Sequence, residues 1–114
     1  MKLMPTTIQH IDELMPWFTN EQQVAMWAGP NFSFPFTKES FIQMIKWQEL
    51  ASFSLLNDNN ELVAFGQFYQ RLNCCHLGRL VVNPTLRGQG LGKILINELS
   101  IKGMKTLRLN SLSL

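Results

Sequence analysis

The sequence is poor in charge: 16% of its residues are Asp, Glu, Lys or Arg, while 46% are hydrophobic. Soluble domains usually carry roughly one quarter charged residues, and a chain this apolar is not a solvated, disordered one. Long apolar runs are also missing. None approaches the roughly 18 residues of a membrane helix, and Met1–Asp12 holds Lys2 but no apolar stretch followed by a cleavage site. A cytoplasmic chain with no membrane partner is the expectation. Cysteine is nearly absent. Cys74 and Cys75 are adjacent, would point to opposite faces of a strand, and offer no disulfide framework. With His76 they cannot converge on one ion in an extended chain, and His10 is the only other histidine, so no metal is expected. The length, 114 residues, is about one domain spanning 1–114, which excludes separate cofactor and substrate modules.

The charge that is present divides unevenly. Residues 1–70 hold three Lys/Arg against seven carboxylates, net −4, and residues 71–114 hold seven against Glu98 alone, net +6. A basic second half suits a polyanionic ligand. The basic residues are scattered, with no zinc-finger spacing or aromatic ribonucleoprotein motif, so nucleic acid is not the expected partner.

Punctuation divides the chain into short elements with no repeat or linker. A strand is predicted at Lys2–Thr6. Thr7 then caps a helix with Ile8, Ile11, Leu14 and Phe18 near one face and Pro16 marking an end or a kink. Asn20 caps a second helix that buries Val24 and Trp27 and stops at Gly29-Pro30; Thr37 caps a third, with Phe41, Met44, Ile45 and Gln48 in a stripe. From residue 52 the period changes to that of strands: Phe53–Leu56, a turn at Asn57–Asn60, Leu62–Arg71, a break at Leu72-Asn73, then Cys74–Val82 ended by Asn83-Pro84. A helix is predicted over Leu91–Lys102 with Gly103 as its stop, followed by a last strand over Thr106–Leu114.

The chemically informative stretch runs from Leu80 to Lys93, where a glycine-rich turn joins a strand to a helix. Gly88, Gly90 and Gly92 remove the side chains that would hold a ligand off the backbone, and the first helical turn offers unpaired N–H groups at a positive dipole end. Phosphate suits such a place. Lys93 in that first turn, where acidic residues are the stabilising choice, points to an anion supplied from outside. The spacing G-x-G-x-G is not the G-x-G-x-x-G of dinucleotide sites, and Ile94 stands where a P-loop needs Ser or Thr. A purely structural turn from strand to helix is the competing reading.

Arg87-Gly88-Gln89-Gly90-Leu91-Gly92, following Val81-Val82-Asn83-Pro84, resembles the Gln/Arg-x-x-Gly-x-Gly/Ala signature of the GNAT superfamily of N-acetyltransferases. The element order is similar, as are Trp27-Ala28-Gly29-Pro30 and Phe34-Pro35-Phe36, so the resemblance covers essentially the whole chain. It implies an α/β (α+β) fold with a mixed, mainly antiparallel sheet flanked by helices. It implies acetyl-CoA as cosubstrate, its pyrophosphate on the backbone of Arg87, Gly88, Gln89, Gly90, Leu91, Gly92 and Lys93. The pantetheine arm would follow Leu80, Val81 and Val82, with Asn110 of the fifth strand as its neighbour.

The implied reaction is direct attack by a primary amine, of a small molecule or a peptide, on the thioester in a ternary complex. An amine with a pKa near 10.4 must first lose a proton to a base, and the growing negative charge on oxygen needs a donor, for which the Val81 or Val82 N–H is available where strands splay. His76 and Tyr69 are the catalytic candidates, each with a structural alternative as a sheet residue; Glu21, Glu39 and Glu61 could line an entrance, and spacing selects none of them. Members of the superfamily usually continue past the fifth strand into a helix and two more strands. Here the sequence reads as C-terminally truncated, leaving Leu107, Leu109, Leu112 and Leu114 on an uncovered strand through which two copies could pair as a homodimer. A non-catalytic CoA-binding or interaction module is the alternative to an enzyme.

Overall fold

A computed structural model describes all residues, Met1–Leu114. Five strands form one sheet in the order β1-β2-β3-β4-β5: β1 (Lys2–Pro5), β2 (Ala51–Leu56), β3 (Leu62–Arg71), β4 (Cys74–Val82) and β5 (Leu112–Ser113). The first four are antiparallel neighbours, and β5 runs parallel to β4. Helices α1 (Ile8–Leu14), α2 (Glu21–Ala28) and α3 (Lys38–Ile45) lie between β1 and β2, and α4 (Leu91–Leu107) joins β4 to β5. The fold is the expected mixed, mainly antiparallel α/β arrangement.

Local chemistry sets the joints. Thr7, Asn20 and Thr37 cap α1, α2 and α3 as expected, each side-chain oxygen accepting from the backbone N–H three residues on. The β2–β3 turn is held by Asn57 Oδ1, which accepts from the N–H groups of Asn59 and Glu61 at 2.9 Å. Leu72 and Asn73, both at positive φ, make the two-residue turn between β3 and β4.

The two faces of the sheet carry separate cores. Ile11, Leu14, Val24, Phe41, Phe65 and Val81 pack together beneath α1, α2 and α3. On the other face Leu91, Leu95 and Leu99 of α4 lie against Leu55, Ala64, Phe53 and Phe68. No helix is long and apolar enough to cross a membrane.

Four sequence expectations fail. Gly103 does not stop α4; the helix continues to Leu107 and ends on Arg108 in the left-handed region. Gly103 is buried there because a Cβ would stand 2.6 Å from Cys75 Sγ and 3.0 Å from the Phe68 ring, so the glycine permits close approach of helix to sheet. It continues the buried row Leu91, Leu95, Leu99 at four-residue spacing. The last strand is consequently Leu112–Ser113 rather than Thr106–Leu114, and Asn110 falls in the exposed turn before it. Leu107 and Leu109 are not an open edge but pack on the Phe53–Phe68 cluster, leaving Leu112 and Leu114, 39% and 70% exposed, as the outward leucines. Gln48 lies beyond the end of α3 and is exposed, because Lys46 takes the left-handed conformation that closes the helix.

Candidate functional site

The site is built on a defect in β4. Gln67 pairs with Gly78 and Phe65 with Val81, so Arg79 and Leu80 together oppose Gly66 in a one-residue bulge, with Arg79 at φ 48°. The extra residue exchanges the faces of the strand. Before it Cys75 and Leu77 lie under α4; after it Leu80 and Val82 do, and Val81 joins the opposite core.

Arg79 and Trp27 pin the bulge. Trp27 Nε1 donates to the Arg79 carbonyl at 2.8 Å, tying α2 to β4. The Arg79 guanidinium donates from Nη1 to Gln67 Oε1 at 2.9 Å and from Nη2 to the Met44 carbonyl at 3.4 Å, while its buried Nε has no partner. Fully buried Gln67 in turn donates to the Ile45 carbonyl at 2.7 Å and to Ser52 Oγ at 2.9 Å. Cation and amide thus take the carbonyls at the C-terminal end of α3, where the helix dipole favours positive charge. Burial lowers the Arg79 pKa from its ordinary value, and Tyr69 opposes that shift. No carboxylate pairs with it; the ion pairs of the molecule are Met1–Asp58 and Lys38–Asp12. Sequence patterning does not mark Arg79 or Gln67 as site residues, although one charged residue amid the apolar run Leu77–Val82 is a signal.

Beyond the bulge the outer edge of β4 is free. β5 pairs only at Cys75 and His76, so nothing in the sheet covers β4 from Leu77 to Val82 on that side. Asn83 N–H donates to the Val63 carbonyl at 2.9 Å. Amides alternate along a strand, so the Val81 N–H turns toward β3 and the Val82 N–H toward the open edge.

The chain then turns sharply into α4. Asn83 Oδ1 accepts from Thr85 N–H at 3.1 Å and from Thr85 Oγ1 at 2.9 Å, starting a short helical turn over Pro84–Leu86. Gly88 and Gly90 follow at φ 85° and 77°, a conformation that L side chains rarely adopt. A Cβ on either would meet nothing within 4 Å, so the bend is open to solvent. Gly90 caps α4 without a side-chain acceptor, and the first turn of the helix holds no acidic residue. The leading N–H groups of α4 therefore face outward with Arg87 and Lys93 beside them, an arrangement that accepts an anion.

Bulge, edge and turn together border a cleft of about 800 Å³. One wall is Leu80, Val81 and Val82 of β4 with Gly92, Leu95 and Ile96 of α4; the other is Trp17, Phe18, Thr19, Gln23, Met26 and Trp27. Arg87 is the only charged residue in the lining. A side pocket of about 340 Å³ shares Trp17, Asn83 and Thr85 with the cleft and contains two carboxylates, Glu13 and Glu61.

The expected cofactor residues Leu80, Val81, Val82, Arg87 and Gly92 line this cleft, and Gly88, Gln89, Gly90 and Leu91 run between its last two members, with Lys93 next. Asn110 does not join them. Gly92 lies near Val82 and Gly103 near Cys75, so Asn110, beyond the C-terminus of α4, is at the opposite end of β4. His76 and Tyr69 also sit at that end, about 20 Å along the strand from Val82. They face each other across β3 and β4 with ring centroids 5.1 Å apart, and His76 Nδ1 lies 2.9 Å from Ser113 Oγ. Of the three glutamates considered, Glu61 borders the side pocket; Glu21 and Glu39 border neither space.

Comparison with known proteins agrees with the fold. The model of the acetyltransferase (GNAT) family matches residues 21–114. The fold is similar to that of the BH1408 protein of Bacillus halodurans, at 15% identity and TM-score 0.67, over 99% of this chain and 80% of that one. It is similar to a PaiA N-acetyltransferase of Thermoplasma acidophilum solved with coenzyme A, at 17% identity and TM-score 0.63, over 92% and 72%. A ribosomal-protein-alanine N-acetyltransferase of Brucella melitensis biovar Abortus 2308 matches at 18% identity and TM-score 0.66, over 99% and 78%.

Proposed function

Because the chain belongs to the acetyltransferase (GNAT) family, we propose that it is an acetyl-CoA-dependent N-acetyltransferase that acetylates a primary amine in a ternary complex. The observation that carries this reading is the uncapped, solvent-open glycine turn at the mouth of a cleft that runs along a free strand edge. The residues fit the group. Backbone amides from Gly88 to Lys93 and the cations of Arg87 and Lys93 would hold its diphosphate, and Leu80, Val81 and Val82 would flank the arm. When bound, acetyl-CoA supplies an activated acyl carbon and a thiol leaving group.

The chain's own groups then have defined tasks. The Val82 N–H is a fixed donor for an oxygen lying over the strand edge, and the apolar walls exclude water that would compete with the amine. An ammonium that becomes an amide gives up two protons, one restoring the thiol and one leaving to solvent. Glu13 and Glu61, in the adjoining pocket, are the carboxylates available to pass the second outward. His76 and Tyr69 take no part in this scheme.

Calorimetric titration with acetyl-CoA tests the reading. Binding is expected for the natural sequence and a loss of about tenfold or more for Gly90→Asp, whose carboxylate would repel the diphosphate. Arg87→Glu, which leaves the left-handed turn intact, should weaken binding in the same direction. Unchanged affinity in both variants would show that the turn holds no diphosphate.

A further inference from the structure

Given the acetyltransferase reading, on which this inference rests, the wall opposite α4 bears on the identity of the acceptor. Because the edge of β4 is free, the cleft wraps from one face of the sheet to the other. The glycine turn, Leu95 and Ile96 lie on the α4 side, so a donor held by the turn fills that half. The second reactant must enter against Trp17, Phe18, Met26 and Trp27.

That wall is mostly rings and methylenes, and its polar groups, the Trp17 indole N–H, the Thr19 hydroxyl and the Gln23 amide, are all uncharged. Trp27 stacks on Phe18 with ring centroids 4.3 Å apart, and its N–H is committed to the Arg79 carbonyl, so toward a ligand it offers ring surface rather than a donor. Gln23 Oε1 already accepts from Thr19 N–H at 2.7 Å and lies 3.0 Å from Thr19 Oγ1. No carboxylate borders the cleft, and its one cation, Arg87, belongs to the phosphate-binding turn. A second ammonium at the end of the acceptor away from Asn83 would meet ring faces and no carboxylate in the lining, and an acceptor carboxylate would find no cation on that side. The negative charge nearby, Glu13 and Glu61, adjoins the cleft at Trp17, Asn83 and Thr85, the end where β4 enters the turn.

We propose that the acceptor is a primary monoamine on an apolar body of the arylalkyl kind, its nitrogen at the Asn83 end and its body on the Trp17–Trp27 wall, and that polycationic amines are poor substrates. The probes are 2-phenylethylamine and spermidine. Of the three tryptophans, Trp17 and Trp27 line the cleft, so ligand entry is read from tryptophan fluorescence without any turnover. Phenylethylamine is expected to perturb that emission at concentrations about tenfold or more below those needed for spermidine. It is also expected to be acetylated with at least about 30-fold higher kcat/KM. Met26 is 82% exposed, so Met26→Glu leaves the core intact and should shift the preference toward spermidine by about fivefold or more. Equal or tighter action of spermidine, or a preference unmoved by Met26→Glu, overturns the proposal. Absence of acetyl-CoA binding in the calorimeter would instead defeat the enzyme reading, and the fluorescence comparison would still decide whether this wall selects apolar monoamines.

Discussion

At its first residues β4 is enclosed: β5 covers its edge, His76 meets Ser113, and Cys75 is pressed beneath Gly103 of α4. At its last residues the same strand is open: its edge is bare, its outward amide is free, and the neighbouring glycines face solvent. The bulge at Arg79 separates the two ends. Close packing at one end fixes where α4 lies, and so where its N-terminus stands relative to Val82 at the other. Glycine has opposite meanings at the two ends: at Gly103 no side chain fits, whereas at Gly88 and Gly90 there is room for one but the backbone conformation resists it.

Substitutions should separate these ends. The largest effect is expected from Gly103→Val, which forces atoms into Cys75 and Phe68 and should cost about 3 kcal/mol of stability, read from urea unfolding. Gly90→Asp, by contrast, should lower acetyl-CoA affinity with a far smaller change in the same unfolding curve. Next comes Arg79→Met, at the boundary. Losing the guanidinium leaves Gln67 Oε1 and the Met44 carbonyl without donors, and a cost of about 2 kcal/mol is expected. Because Arg79 shapes the bulge, KM for acetyl-CoA should rise as well. A stability loss with unchanged kinetics would show that the bulge does not depend on this side chain.

Smaller still is His76→Gln at the enclosed end, expected to cost about 1 kcal/mol or less through the Ser113 contact and to leave acetyl-CoA affinity and turnover within about twofold. A tenfold fall in turnover would return His76 to the reaction. The smallest effect concerns His10, whose neutral Nδ1 accepts from Thr7 N–H at 3.0 Å in the cap of α1. Burial lowers its pKa from the ordinary 6.5, against an opposing influence of Glu13. The unfolded chain therefore takes up this proton at higher pH than the folded one. The His10 contribution is present above pH 6.5 and lost as pH falls through the depressed value. His10→Gln, which keeps an acceptor that does not titrate, should remove that part of the pH dependence in thermal melts, a matter of about 1 kcal/mol at most.

Much of this is legible in the chain. The capping residues announce the starts of three helices, Leu72-Asn73 the β3–β4 turn, and G-x-G-x-G the strand-to-helix joint, because each depends on a few adjacent residues. The C-terminal stretch misleads for the same reason. Leu107 and Leu109 alternate as a strand would, and Gly103 has the composition of a stop, but Phe68 and Cys75, distant in sequence, make that glycine a packing residue and let the helix continue. His76 and Tyr69 attract attention by their chemistry alone; position along β4 removes them from the cleft.

The sequence by itself determined the local geometry: where backbone donors would be left unpaired, where glycine would be needed, and that helix-start amides would stand beside Arg87 and Lys93. Only the tertiary structure decided that Arg79 would bulge and that an aromatic wall from Trp17 to Trp27 would stand across the open strand. Those features arise from contacts between residues dozens of positions apart, and such contacts leave no periodic trace in the chain.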